Sequence, residues 1–359
     1  MALVRLDVDD FRCLERVRLT LDPRYNLFVG PNASGKTSVL EALFCLGRGR
    51  SFRTRRNELL IRHGQPGFRV VGWSQCDGRE TVLGIGGTRP GTEIRIGGAP
   101  ASGAAALATH FPAQVIDPEI HKLLEEGPQR RRRYLDWGVF HVEHGFLDTW
   151  QRYFRALKQR NAALKAGGNP LDARAWDSEL LLAGGMLAEQ RGRYLEQLAP
   201  VLRELGRELV AVDVSIAYHA GWPTGGSFAH ALDRSSARDA RVGVTHVGPH
   251  RADVVVCVGG LLARERISRG QQKLLAAALT LAQLRLHEQH TPGHGALLLD
   301  DPAAELDSAN LARLLSVVNS LPAQLFVTAL RHDLPGLGEP GALFHVEQGR
   351  ITGAGRATA

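Results

Sequence analysis

The chain has 359 residues, 44% hydrophobic and 23% charged, a composition that buries a sizeable core and leaves room for roughly two domains. Forty glycines and 17 prolines are too few for a low-complexity chain, and no stretch repeats at a fixed period, which excludes solenoids and collagen-like fibres. The net charge of +7, carried by 39 arginines and only five lysines, permits a polyanionic partner such as nucleic acid without locating it. Asp7, Asp9, Asp10 and Glu15 interrupt the opening segment, so it has neither the basic nor the apolar region of a secretory signal. The longest nearly apolar run, Leu274 to Leu284, is far shorter than the roughly 20 residues a bilayer requires, and no membrane partner is expected. Cys13, Cys45, Cys76 and Cys257 are too widely spaced for a CxxC motif and suit reduced thiols, which points to the cytoplasm.

From Val4 to Val29 short β-rich runs alternate with turns, ending in the strand-like Tyr25-Asn26-Leu27-Phe28-Val29. A helical pattern begins at Thr37, with Val39, Leu40, Leu43 and Phe44 on one face. Residues 68 to 98 read as β-hairpins. Beyond about 119, Leu, Ala, Glu and Arg recur at helical spacing, predicting long helices over 145–165 and 173–210, separated by Gly167-Gly168-Asn169-Pro170. Gly184-Gly185 and Pro200 predict breaks in the second helix. A strand is expected over 254–258, a helix over 271–288, and short buried strands at Leu297-Leu298-Leu299 and Leu325-Phe326-Val327. The expected organisation is an α/β lobe over 1–118, a helical lobe over 119–240 and a return to the α/β lobe over 241–359.

Gly30-Pro31-Asn32-Ala33-Ser34-Gly35-Lys36-Thr37 is a complete G-x-x-x-x-G-K-[ST] between a predicted strand and a predicted helix. In that context backbone N–H groups and a helix N-terminus cradle phosphates. Gly30, Asn32, Ser34, Gly35, Lys36, Thr37 and the following Ser38 are the expected ATP-binding residues, with Lys36 reaching the β/γ oxygens and Thr37 a ligand of Mg²⁺. The strand Ala296 to Leu299 runs into Asp300-Asp301, whose side chains point in different directions. Asp300 can therefore hold Mg²⁺ while Asp301 polarises the attacking water.

Lys36 and Asp300 are 264 residues apart, so a large segment is inserted between the two motifs. Ser268-Arg269-Gly270-Gln271-Gln272, immediately before an apolar helix, resembles the signature motif of the ABC ATPases, in which Ser268, Gly270, Gln271 and a helix N-terminus make a second phosphate site. By itself the sequence is equally a helix cap. The order of motifs makes the fold an α/β ABC-type ATPase head with an inserted helical lobe and no long coiled coil. The resemblance implies a homodimer that sandwiches two ATP molecules, with Glu305-Leu306-Asp307 along its interface. It makes Gln114 a Mg²⁺-sensing glutamine, though a solvated glutamine fits as well, and Thr328, rather than His332, the γ-phosphate sensor.

Ser51-Phe52-Arg53-Thr54, Pro118-Glu119, Arg131 to Trp137, Leu157 to Asn161 and Gly248 to Asp253 extend the likeness over nearly the whole chain, which closely resembles the RecF family of DNA replication and repair proteins. A transporter ATPase shares the P-loop and signature but none of these segments; the alternative is the ATPase subunit of another ABC-type machine. The resemblance implies ATP-dependent loading at junctions between single-stranded and double-stranded DNA, in gap repair with RecO and RecR as partners. Independently, the stretch containing Arg53, Arg55 and Arg56 and the run Arg130 to Arg133 are basic enough to contact DNA phosphates. They suit a solvated face equally, and Arg131 and Arg133 suit a structural role. Asp301 stands where many ABC ATPases carry the longer glutamate, so slow hydrolysis, acting as a release timer, is expected.

Overall fold

The structure is a computed structural model that describes residues 1–89, 91–167 and 170–355. Gly168 and Asn169 of the predicted helix-separating turn lie outside the described residues. The chain divides into two compact units, one formed by residues 1–120 and 277–359 and the other by residues 121–276.

The first unit opens with β1 (Ala2–Phe11), β2 (Leu14–Thr20) and β3 (Tyr25–Val29), followed by α1 (Lys36–Arg48). Then come β4 (Gly67–Cys76), β5 (Arg79–Thr88), β6 (Gly91–Ile96), β7 (Ala99–Pro100), α2 (Ala104–His110) and β8 (Ala113–Ile116). Strands β2-β1-β4-β5-β6-β7 make an antiparallel sheet. Helix α1 was expected to be amphipathic, yet eleven of its thirteen residues are buried. It is enclosed because Leu40, Leu43, Phe44 and Leu46 share one apolar core with Leu3, Leu6 and Val70 of the antiparallel sheet and with residues of a second sheet described below.

The second unit contains α3 (Lys122–Glu125), α4 (Pro128–Val142), α5 (Phe146–Ala166), α6 (Pro170–Arg174), α7 (Asp177–Val210), β9 (Val214–His219), α8 (Phe228–Val242), β10 (Asp253–Val258), β11 (Leu261–Leu262) and α9 (Ala263–Arg266). It runs on to Ala276 rather than ending at residue 240, because β10 pairs along its full length with β9. The expected breaks in α7 do not occur: the helix continues through Gly184, Gly185 and Pro200 for 34 residues, about 51 Å at 1.5 Å per residue. Gly184 is there for close packing, since a Cβ on it would meet Phe228 Cε1 at 2.6 Å and Tyr153 Cε2 at 3.0 Å, whereas Gly185 faces open space.

This unit is also held by buried charge. Arg160 donates to Asp177 (2.7 Å), Asp239 (2.9 Å) and Thr245 (2.8 Å). Arg191, with no exposed surface, donates to Asp136 (2.9 Å) and to the Pro249 carbonyl (2.7 Å). His250 accepts at Nδ1 from the Tyr153 hydroxyl (2.6 Å) and donates from Nε2 to the Thr245 carbonyl (3.0 Å), and burial holds its pKa down to about 4. Of the basic run, Arg131 donates to both oxygens of Asp253 (2.8 and 3.0 Å) and Arg132 to the Ala252 carbonyl (2.7 Å), so these two are internal ties rather than an open basic face.

Helix α10 (Arg269–His290) leads back to the first unit, which closes with β12 (Ala296–Asp300), α11 (Ser308–Ser320), β13 (Gln324–Ala329), β14 (Ala342–Glu347) and β15 (Arg350–Gly355). The second sheet has the order β15-β14-β3-β13-β12-β8, parallel except for β15 at its edge. Its central strands are short continuous apolar runs because both faces are covered. Among the described residues no helix is long and apolar enough to cross a membrane.

The two adjacent glycines of α7 separate packing from propensity. Gly184→Ala should destabilise the protein by about 1–3 kcal/mol through overpacking, and Gly185→Ala should stabilise it by up to about 1 kcal/mol through helix propensity. Urea denaturation of the two variants checks the opposite signs.

Candidate nucleotide site

In the parallel sheet, β13 lies between β3 and β12, with Thr328 registered against Phe28 on one side and Asp300 on the other. The loop after β3 and the carboxylates at the end of β12 therefore meet at the carboxyl edge of the sheet, where open α/β sheets place their ligands. The loop passes through Ala33 (φ 60°) and Gly35 (φ 114°) into α1. Gly35 supplies no capping side chain and the first turn of α1 contains no acid of its own, so its leading backbone N–H groups have no side-chain cap.

The Lys36 ammonium is buried and donates to the carbonyls of Gly30 (2.7 Å) and Pro31 (2.9 Å). Burial lowers its pKa, an effect opposed by Asp301 and Asp300. Thr37 Oγ1 lies 2.9 Å and 3.1 Å from the two oxygens of Asp300 and donates to that carboxylate. Thr328 Oγ1 lies 2.8 Å from Asp300 Oδ1 and accepts the backbone N–H of Asp301 (2.9 Å). Asp301 is in the left-handed region (φ 46°, ψ 59°). Burial raises the pKa of Asp300 against the hydrogen bonds from Thr328 and Thr37. Burial also raises that of Asp301, against the pull of Lys36 and with help from Asp300 and Glu305.

Two atoms here, Ser34 Oγ and Asp301 Oδ1, are buried without a hydrogen-bond partner. A buried polar atom of this kind calls for a partner from outside the chain, such as water or an ion, or for a catalytic role. With the uncapped helix terminus and two adjacent desolvated carboxylates, the residues present fit a phosphate chain with a divalent cation. Beside Ser38 a cleft of about 640 Å³ is lined by Arg12, Cys13, Leu59, Ile61, Arg62 and His63.

The other expected residues divide. Gln114 is not brought to the cluster: β8 registers it against Leu297, three residues short of Asp300 and about 10 Å along the strand, and its amide donates to Gln283 at 2.8 Å. His332 is exposed on the loop after β13, whereas Thr328 is fully enclosed beneath the carboxylates. Ser268, Gly270 and Gln271 belong to the second unit and are exposed. Ser268 Oγ accepts the N–H of Gln271 (3.3 Å) and the Gln271 side chain accepts that of Ser268 (3.0 Å), a reciprocal capping box.

Arg55 and Arg56 are exposed, and Arg56 pairs with Glu58 at 2.9 Å. Arg53 is exposed as well, but it lies 3.6 Å from the fully buried Glu41, and its charge acts to lower the Asp300 pKa. Glu41 itself was missed in the sequence, although a lone acid inside the apolar pattern of α1 is a signal. It accepts both ends of the Arg12 guanidinium (2.8 and 2.7 Å) and the Ser51 hydroxyl, and so ties the P-loop helix to the β1–β2 turn and to the loop carrying Arg53.

The family model for the RecF/RecN/SMC N terminal domain matches residues 2–349. The chain is 43% identical to the DNA replication and repair protein RecF of Pseudomonas putida (strain GB-1), over 98% of both chains. It is 42% identical to that of Azotobacter vinelandii (strain DJ / ATCC BAA-1303), again over 98% of both. Among solved structures, that of the recombination mediator protein RecF with ATP in the RecFOR pathway aligns with a TM-score of 0.88 at 27% identity, covering 98% of this chain and 97% of the other. An Smc head bound to the C-winged helix domain of ScpA aligns with a TM-score of 0.61 at 16% identity over 99% and 98% of the two chains, a likeness of fold alone. The fold is thus the ABC-type ATPase head expected from the motifs.

The raised pKa of Asp300 carries a stability consequence. A carboxyl whose pKa is higher folded than unfolded favours folding most below its ordinary range, and that contribution is lost as pH rises through the raised value. Above that range the buried carboxyl weighs against folding, so Asp300→Asn should raise the melting temperature of the nucleotide-free protein at neutral pH. The gain should vanish when both proteins are melted at a pH below the ordinary carboxylate range.

Proposed function

The chain belongs to the RecF family, and from that premise we propose that it is an ATP-dependent DNA-binding protein of replication and recombinational repair. One observation carries the reading: Lys36, Thr37, Asp300, Asp301 and Thr328 converge at the carboxyl edge of the parallel sheet, with groups left over for a phosphate chain. The phosphates lie along the loop from Gly30 to Gly35 and on the N-terminus of α1, contacted by Asn32, Ser34, Lys36 and Ser38. The nucleoside occupies the cleft lined by Arg12, Ile61 and His63. Thr37 and Asp300 are the residues that would hold Mg²⁺, which when bound neutralises charge on the β- and γ-oxygens.

Lys36 exchanges its two carbonyl partners for phosphate oxygens. Asp301 accepts a hydrogen bond from the attacking water through Oδ1, the oxygen without a partner. Thr328 touches no phosphate. It is a positioning residue that fixes the Asp300 carboxylate and the Asp301 backbone.

The signature acts in trans within an ATP-dependent homodimer. The capping box uses the Ser268 oxygen only as an acceptor, so its O–H remains to donate to a phosphate on the partner copy. Arg55 and Arg56 meet DNA phosphates, since an exposed ion pair such as Arg56–Glu58 is worth little and yields readily. Arg53, drawn toward Glu41 and the carboxylates, links that basic loop to the nucleotide state. The protein loads at junctions of single-stranded and double-stranded DNA in the cytoplasm, with RecO and RecR as partners. Slow hydrolysis times its release.

Two tests follow. Lys36→Ala should lower ATP hydrolysis on the order of 10²-fold or more, and Asp301→Asn should bind ATP, accumulate as a dimer and leave DNA more slowly than wild type. Phosphate release reads the first, sedimentation and DNA dissociation after an ATP chase read the second, and a nucleotide-independent dimer would overturn the sandwich. Neutralising Arg55 and Arg56 together should flatten the dependence of log affinity on log salt, with a slope change of about 0.9 per lost phosphate contact. An unaltered slope places the DNA site elsewhere.

A further inference from the structure

We propose that Cys76, Asp77 and His294 form a binding site for a zinc-class divalent cation, separate in residues and ligand chemistry from the nucleotide site. Cys76 is the last residue of β4 and pairs with Arg79 of β5. Between them Asp77 (φ 50°) and Gly78 (φ 74°) make a two-residue turn with positive φ at both positions, a tight connection that fixes the Asp77 backbone beside the thiol. His294 comes from the loop between α10 and β12. Cys76 Sγ lies 3.0 Å from His294 Nε2 and 3.5 Å from an Asp77 carboxylate oxygen. All three donor atoms fall within 4.8 Å of one another.

The histidine is oriented before any ion arrives. His294 Nδ1 lies 2.7 Å from the Pro292 carbonyl. A carbonyl can only accept, so Nδ1 carries the proton and Nε2 turns its lone pair toward the sulfur, the arrangement that metal-ligating histidines adopt. Its loop is fixed from within the protein, because the buried Glu288 accepts the N–H of Gly293 (2.6 Å) and of Gly295 (2.8 Å), one on each side of His294. A Cβ at Gly295 would meet the Glu288 oxygen at 2.6 Å, so glycine is required for that clasp.

The spacing suits a tetrahedral ion. Zn–S of about 2.3 Å and Zn–N of about 2.0–2.1 Å place the two ligand atoms about 3.5 Å apart on a tetrahedral edge, a small opening from the 3.0 Å observed. A thiolate with an imidazole favours zinc-like ions over magnesium or calcium, whereas Thr37 and Asp300 offer only oxygen. Three protein ligands, one of them exposed, leave a fourth position for water.

The test uses the full chain, stripped with EDTA, freed of chelator and titrated with cobalt chloride and then zinc chloride, without nucleotide. One cobalt per chain should bind with a sulfur-to-cobalt charge-transfer band and a tetrahedral d–d spectrum, and zinc should displace it. Cys76→Ser should abolish the band, and Cys257→Ser should leave it unchanged. His294→Ala should weaken zinc binding by about 100-fold or more and Asp77→Asn by about tenfold or more, since loss even of a group that only orients a ligand costs about 10–100-fold. Asp77 is exposed and His294 half-buried on a loop, so their variants decide the matter even if Cys76→Ser fails to fold. Absence of the band in wild type, its survival in Cys76→Ser, or unchanged zinc affinity in His294→Ala would reduce the trio to a thiol–imidazole hydrogen bond. The nucleotide assignments are unaffected by either outcome.

Discussion

Everything at the nucleotide site is referred to one buried carboxylate. Asp300 receives the Thr37 hydroxyl from the start of α1 and the Thr328 hydroxyl from β13, and Thr328 in turn holds the Asp301 N–H. Three chain segments distant in sequence are thus tied together at one side chain. The tie is possible because β13 is interposed between β3 and β12 in parallel register. Two hydroxyl donors do not repay the desolvation of the charge, since the pKa of Asp300 stays raised despite them. A site that carries such a cost persists because the surrounding sheet over-determines it, and a cation bound there relieves it.

The same device, a buried charge clasped by several segments, recurs away from the chemistry. Glu41 inside the apolar core is matched by Arg12 and Ser51, and Arg160 and Arg191 organise the helical unit around Asp177, Asp239 and Asp136. Removing one partner of such a pair strands the other, so these contacts specify the arrangement more strongly than their net worth suggests. They also change the meaning of the composition. An arginine-rich chain with a positive balance suggests a polyanion-binding surface, yet Arg12, Arg131, Arg160 and Arg191 spend their charge internally. Planar guanidinium groups with several fixed donors are suited to that task in a way that lysine is not.

The parts legible in the sequence were those that local chemistry dictates. The loop from Gly30 to Thr37, the acidic end of β12, the cap at Ser268 and the apolar parallel strands each carry their signal within a few residues. What was not legible depends on partners across the fold. Nothing near Gly184 announces that Phe228 and Tyr153 require its missing Cβ, so a glycine pair read as a break became part of a continuous helix. The distance of Gln114 from the acidic pair is set by its pairing with Leu297, a register no local pattern encodes. Arg53 is exposed like Arg55 and Arg56, and what sets it apart, Glu41 and Asp300 within its field, is supplied by distant segments.

The aspartate at position 301 shows how backbone conformation and chemistry meet. The chain must turn sharply at the end of β12, and it does so by placing residue 301 in the left-handed region, where its carbonyl accepts the Ala304 N–H (3.1 Å) and its own N–H reaches Thr328. Aspartate enters that region far more readily than residues with longer side chains, which gain nothing from local polar contacts there. A glutamate would reach farther toward an attacking water, but on a backbone less able to hold the turn that aligns the acidic pair with Thr328. The shorter carboxylate is therefore the side chain this turn accommodates best. The reduced reach that underlies the proposed release timer is then a consequence of how the strand ends, with the carboxylate proposed to meet the water set by the same φ angle that fixes the turn.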